Sequence, residues 1–133
     1  PLPKHFLRLQ RREVFRLPLP TSKPYTCRIR RGSPEEILLP MHDISVGGVG
    51  FHLSQQLNYE MLEKLENCWL DLGDNGMLPI TLEVRYINAL ESRTGKNLWH
   101  LGCRFVDLSA AAETQIQRFM ARIEAERRTL SAG

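Results

Sequence analysis

No stretch of this 133-residue chain approaches the roughly 20 consecutive apolar residues needed to cross a bilayer as a helix. Its first ten residues, PLPKHFLRLQ, lack the apolar core of a secretory signal. Cysteine is scarce: Cys27, Cys68 and Cys103 are odd in number, far apart and set in apolar or alternating segments, which argues against a disulfide framework. These absences together predict a cytoplasmic protein in a reducing compartment.

Enzymatic and metal signatures are missing as well. There is no CxxC, and His5, His42, His52 and His100 form no pair with zinc-ligand spacing, so no metal and no cofactor is expected. No GxxxxGK[ST] occurs, and Gly47-Gly48-Val49-Gly50 leads into an apparent strand rather than a helix, against nucleotide hydrolysis. His42, Asp43 and Ser45 are the residue types of a hydrolytic triad. Neighbouring strand residues face opposite sides, however, which would keep His42 and Asp43 from orienting one another, and no nucleophile elbow surrounds Ser45. The chain is expected not to be an enzyme.

What is present is an ordinary globular composition, 42% hydrophobic and 25% charged, of a length suited to one domain. The net charge of +3 hides a strong asymmetry. Residues 1–31 hold nine Lys or Arg against Glu13, a local charge of +8, whereas the rest of the chain is at −5. An anionic partner near the N-terminus fits that distribution.

Alternating apolar residues predict strands over Glu13–Pro20, Tyr25–Arg31, Glu36–Ser45, Val49–Leu53, Cys68–Leu72, Leu78–Leu90 and Asn97–Val106, separated by Gly-, Pro- and Asn-rich turns. In the first of these, Phe15, Leu17 and Leu19 share one face, and Arg12 and Arg16 the solvent side. Many short strands at this spacing argue a barrel or sandwich. Leu57–Glu66 breaks the alternation and reads as a short helix or a loop packed on the sheet. Ser109 is a good N-cap, and Ile116, Phe119, Met120 and Ile123 follow at helical spacing, which predicts a C-terminal amphipathic helix over residues 109–133. The alternation also assigns Trp69, Trp99 and Tyr86 to the core.

Two segments carry ligand chemistry. Gln10-Arg11-Arg12-Glu13-Val14-Phe15-Arg16 concentrates three guanidinium groups, planar forks that can grip a phosphate or the O6/N7 edge of guanine with two bonds at once. In Asp43-Ile44-Ser45-Val46-Gly47-Gly48-Val49-Gly50-Phe51, the Asp43 carboxylate suits the N1–H and N2–H of a guanine and the Ser45 hydroxyl a phosphate or base edge. Gly47 and Gly48 allow positive φ and close approach of the backbone to an anion. Taken singly, the first is more often a solvated face and the second a plain turn and glycine bulge.

An RxxxR pair at Arg12 and Arg16 followed by DxSxxG at Asp43, Ser45 and Gly48 resembles the PilZ family, and most closely the C-terminal PilZ domain of YcgR-type flagellar brake proteins, where QRRxxFR is a frequent form. The later Leu101-Gly102-Cys103-Arg104-Phe105 and the terminal helix fit as well. The resemblance implies a mainly β fold, a six-stranded antiparallel barrel of Greek-key type over residues 13–108, after a linker at residues 1–12 that holds the start of the arginine motif. It implies a cyclic di-GMP site at Arg11, Arg12, Arg16, Asp43, Ser45, Gly47 and Gly48, with Arg11 bearing on whether one ligand or a stacked pair binds. The partners it implies are an N-terminal YcgR-type domain outside this sequence and flagellar motor proteins, and the output is slowed rotation at the basal body. The alternatives are a basic nucleic-acid-binding barrel, which the acidic Asp43 beside the clamp disfavours, and a degenerate PilZ scaffold that binds only protein.

Overall fold

A computed structural model describes residues 16–22, 24–30, 36–54, 59–90 and 98–132. Seven strands and one helix follow in chain order: β1 Leu17–Pro18, β2 Thr26–Ile29, β3 Ile37–Ile44, β4 Gly48–Leu53, β5 Lys64–Asp71, β6 Met77–Leu90, β7 Leu98–Phe105 and α1 Ala110–Ala132. All pairings are antiparallel, in the order β3-β2-β5-β6-β7-β4, and the β3–β4 pairing closes the ring into a six-stranded barrel. The short β1 shares an edge of β3 with β2: Leu17 and Pro18 lie opposite Ile44 and Asp43, while β2 covers Ile37–Pro40.

Alternation fills the barrel. Cys27 and Ile29 from β2, Leu39 and Met41 from β3, Val49, Phe51 and Leu53 from β4, and Leu78, Ile80, Leu82 and Val84 from β6 are all buried. The helix closes the core with Ile116, Phe119, Met120 and Ile123, the four residues its periodicity singles out, and Phe119 meets the edge of Tyr25 with centroids 4.9 Å apart. Ser109 caps it, its Oγ accepting the Ala112 N–H at 3.1 Å. The Gly73–Asn75 3-10 turn holds the helix from below: Gln115 donates to the Asn75 carbonyl and Arg122 to its side chain. Gly73 opens that turn and Gly76 follows it, at φ of +62° and +89°, where a side chain would be strained.

Three expectations change. The Leu57–Glu66 stretch is not a helix where it is described. Leu62 adopts φ of +64° in a turn, its N–H bonded to the Val84 carbonyl, and β5 begins at Lys64, four residues earlier than the alternation suggests. Trp69, expected in the core, is 42% exposed on the outer face of β5. Tyr86 is also turned outward, by a register shift in β6 between Val84 and Tyr86. Residues 1–12, the expected linker, and Glu13 to Phe15 of the expected first strand lie outside the described residues. No helix among the described residues is long and apolar enough to cross a membrane.

Candidate functional site

The site forms on the outside of the barrel where β1, β3, β4, β7 and β6 run side by side. Because Pro18 lies opposite Asp43 and alternation puts Arg16 on the same face as Pro18, the guanidinium of Arg16 falls diagonally across from the Asp43 carboxylate. Its Nε donates to Asp43 Oδ1 at 2.9 Å, and its Nη2 lies 2.8 Å from the same oxygen. Both side chains are largely shielded, at 33% and 14% exposed. Arg16 Nη2 is in ion-pair contact with Asp43 without hydrogen-bond alignment, and His100 Nε2 is a buried polar atom with no hydrogen-bond partner among the described residues.

Asp43 points outward only because β3 is bulged. Leu39 and Met41 face the core, and strict alternation would send Asp43 after them. Met41 pairs with Phe51 but Asp43 pairs with Gly50, which leaves His42 as an extra residue, so Ile44 takes the inward position and Asp43 the outward one. The same bulge undoes the expectation that His42 and Asp43 face opposite ways. The His42 ring stacks on His52 of β4 at 3.5 Å and 11°, with His100 edge-on to His52 at 5.0 Å. Sequence spacing did not reveal this trio, because cross-strand pairing and the bulge bring it together. Two stacked rings direct their lone pairs along parallel planes and not to one point. Among the described residues no group of three His, Cys, Asp or Glu has metal-holding geometry.

A second bulge re-aims β6. Val84 pairs with Cys103 and Tyr86 with Gly102, so Arg85 is the extra residue and Tyr86 turns out of the core. Its ring lies over the bare backbone of Gly102, where a Cβ would come within 2.2 Å of Cζ. One rung across four strands therefore reads Asp43, Gly50, Gly102, Tyr86. Its two central glycines let the outer side chains fold down onto the sheet, since a Cβ on Gly50 would meet Asp43 Oδ1 at 2.6 Å and His100 Nε2 at 3.0 Å.

The Ser45-Val46-Gly47 turn joins β3 to β4. Ser45 is fully buried, and its Oγ accepts the N–H groups of Gly47 and Gly48, both at 3.1 Å. That hydroxyl holds the turn, and the two amides expected to approach an anion are spent on it. Neither glycine uses the positive φ that its lack of a side chain allows. Gly48 is required for room instead: a Cβ there would stand 2.2 Å from the Cys103 carbonyl oxygen of β7. Gly47 has space, with nothing nearer than Ser45 Oγ at 3.8 Å.

These parts border a cleft of about 450 Å³. Arg16, Ser45, Gly47 and Gly48 form one wall; Arg85, Tyr86, Gly102 and Arg104 belong to the other. Sequence reasoning named the first wall and missed the second, whose only local sign was an Arg-Tyr pair interrupting an apolar alternation. Arg11 and Arg12 lie outside the described residues.

The family model of the PilZ domain matches residues 10–122, which span both motif segments and most of the helix. The chain belongs to the PilZ family. Among curated PilZ-containing relatives, it is 36% identical over 138 residues to the flagellar brake protein YcgR of Azoarcus sp. (strain BH72), covering 100% of this chain and 53% of that protein. It is 39% identical to flagellar brake protein YcgR 2 of Dechloromonas aromatica, covering 98% and 53%. The chain thus spans about half the length of these relatives. Its PilZ barrel superposes on the PilZ domain with c-di-GMP of YcgR from Escherichia coli with a TM-score of 0.78 at 22% identity, over 92% of this chain and 98% of that one. The K. pneumonia MrkH–c-di-GMP complex matches at 0.74 and 22%, over 86% and 53%.

Proposed function

We propose that this PilZ domain is a cyclic di-GMP receptor that couples ligand binding to control of flagellar motility, and that it catalyses no reaction. One observation carries the reading: the last arginine of the RxxxR segment and the aspartate of DxSxxG, 27 positions apart, are bonded to each other, and that arginine lines a cleft. Arg16 and Asp43 supply complementary groups for a guanine, a fork of donors for O6 and N7 and a carboxylate for N1–H and N2–H. Arg12 joins Arg16 in gripping a phosphate, and Arg11 favours a stacked pair of ligands. Ser45, Gly47 and Gly48 hold the turn that sets Asp43 at its height. The non-catalytic reading is supported by Ser45, whose hydroxyl is bonded within its own turn and not to a base.

The relatives named as flagellar brakes support motility as the output, with a YcgR-type N-terminal domain and motor proteins as partners and the cytoplasmic side of the basal body as the place of action. Calorimetric titration with cyclic di-GMP and cyclic di-AMP tests the reading. Saturable binding of the first, with the second at least tenfold weaker, is expected, and about two ligands per chain falling to one in Arg11→Leu. Equal affinity for the two dinucleotides would replace guanine recognition by a generic basic patch.

A further inference from the structure

The wall of the cleft opposite the motif residues holds two arginines that neither segment contains. Arg85 is the extra residue of the β6 bulge, and Arg104 lies on β7 directly across from Glu83 and, on its other side, from Gly48. Both converge on one carboxylate: Arg104 Nε donates to Glu83 Oε1 at 2.8 Å and Arg85 Nη1 at 3.4 Å. Two cations on one anion leave the trio with a net positive charge. Arg104 Nη1 reaches the Phe105 carbonyl at 3.4 Å, yet each guanidinium has five N–H donors, so both keep donors that these bonds do not use. Glu83 is held below the usual carboxylate range, first by the Arg104 hydrogen bond, so it stays ionised and keeps the two forks in place.

Position matters as much as charge. Alternation alone would place Arg85 on the same face as Glu83 and send Tyr86 inward; the bulge brings Arg85 and the Tyr86 ring out together. Gly48, on the rung with Arg104, presents no side chain between that arginine and the turn carrying Ser45. Three arginines line the cleft, Arg16 from the β1 side and Arg85 and Arg104 from the β6–β7 side. A cyclic dinucleotide carries two phosphates on opposite sides of its ring, and a cleft with cations on both walls matches that charge distribution.

We propose that Arg85 and Arg104, oriented by Glu83, form a phosphate subsite on the β6–β7 wall that takes one phosphate of the bound cyclic dinucleotide; this rests on the cyclic di-GMP reading above. The arginines read phosphate and not base, so they set affinity while Arg16 and Asp43 set the choice of guanine.

Calorimetry of Arg85→Met and Arg104→Met against cyclic di-GMP and cyclic di-AMP, each at two salt concentrations, tests this. Methionine keeps most of the side-chain volume, and exposed ion pairs contribute little to the fold, so thermal melting is expected to stay close to wild type. Each variant is expected to bind cyclic di-GMP about tenfold more weakly, with a shallower salt dependence and an unchanged ratio between the two dinucleotides. Arg85→Lys is expected to recover part of the loss, because it restores the charge without the fork. Wild-type affinity in both folded Met variants would overturn the subsite, and loss of the guanine preference along with affinity would overturn its assignment to phosphate. Absence of cyclic di-GMP binding by the wild-type protein would instead remove the functional reading on which the subsite rests.

Discussion

Arg16 reaches Asp43 through a single carboxylate oxygen, with Nε at 2.9 Å and Nη2 at 2.8 Å from Oδ1. The contact ties the residue just before β1 to the bulged end of β3, and it fixes the guanidinium that lines the cleft.

A ligand gripped by both residues loses charge-assisted bonds when either is changed. Arg16→Ala and Asp43→Asn are each expected to cost about 2 kcal/mol of binding free energy, roughly a 30-fold rise in Kd. Fluorescence or calorimetric titration of the folded variants measures this. Wild-type affinity in both would remove the pair from the binding site.

Three of the glycines near the site, all in or beside β4, are expected to separate by mechanism. Gly48→Ala drives a Cβ into the Cys103 carbonyl at 2.2 Å, a backbone atom that cannot move without disturbing the β4–β7 pairing, and should cost more than about 2 kcal/mol of stability. Gly47→Ala meets only Ser45 Oγ at 3.8 Å and should leave the melting temperature nearly unchanged. Gly50→Ala displaces the Asp43 carboxylate, so ligand affinity should fall further than stability does. Melting curves and titrations on the three variants distinguish these outcomes, and equal effects from all three would contradict them.

The histidine trio predicts acid sensitivity. Burial, then the neighbouring His42 and His100, hold His52 below its ordinary pKa. Burial does the same for His100, opposed by Asp43 and reinforced by His42 and Arg16. A depressed folded pKa means that the unfolded chain binds protons first. The contribution to stability is therefore complete above the unfolded value of about 6.5 and is lost as pH falls through the folded values. Urea unfolding between pH 7.5 and 5 should show declining stability, with a shallower decline in His100→Gln. The same slope in both proteins would place the sensitivity elsewhere.

The helix cap offers a check on the fold alone. Ser109→Ala removes the acceptor of the Ala112 N–H and should cost about 1 kcal/mol, a fall of roughly 3–5 °C in Tm, with ligand affinity unchanged.

Local pattern was enough to read the barrel strands, the capped helix with Ile116, Phe119, Met120 and Ile123 on its buried face, and the two motif segments, because each depends on residues close together in the chain. What alternation could not show is where it fails. The extra residues His42 and Arg85 exist only relative to partner strands, since a bulge is a mismatch in count between two paired segments and no single strand contains it. Those two mismatches turn Asp43 and Tyr86 from the core to the surface, while cross-strand register gathers His42, His52 and His100 and sets Arg85 and Arg104 on one carboxylate. The sequence by itself determined the barrel, its helix and the arginine and aspartate of the two motif segments. Only the closing of the ring, with its register between β3 and β4 and between β6 and β7, decided which side of the sheet those residues and their neighbours occupy.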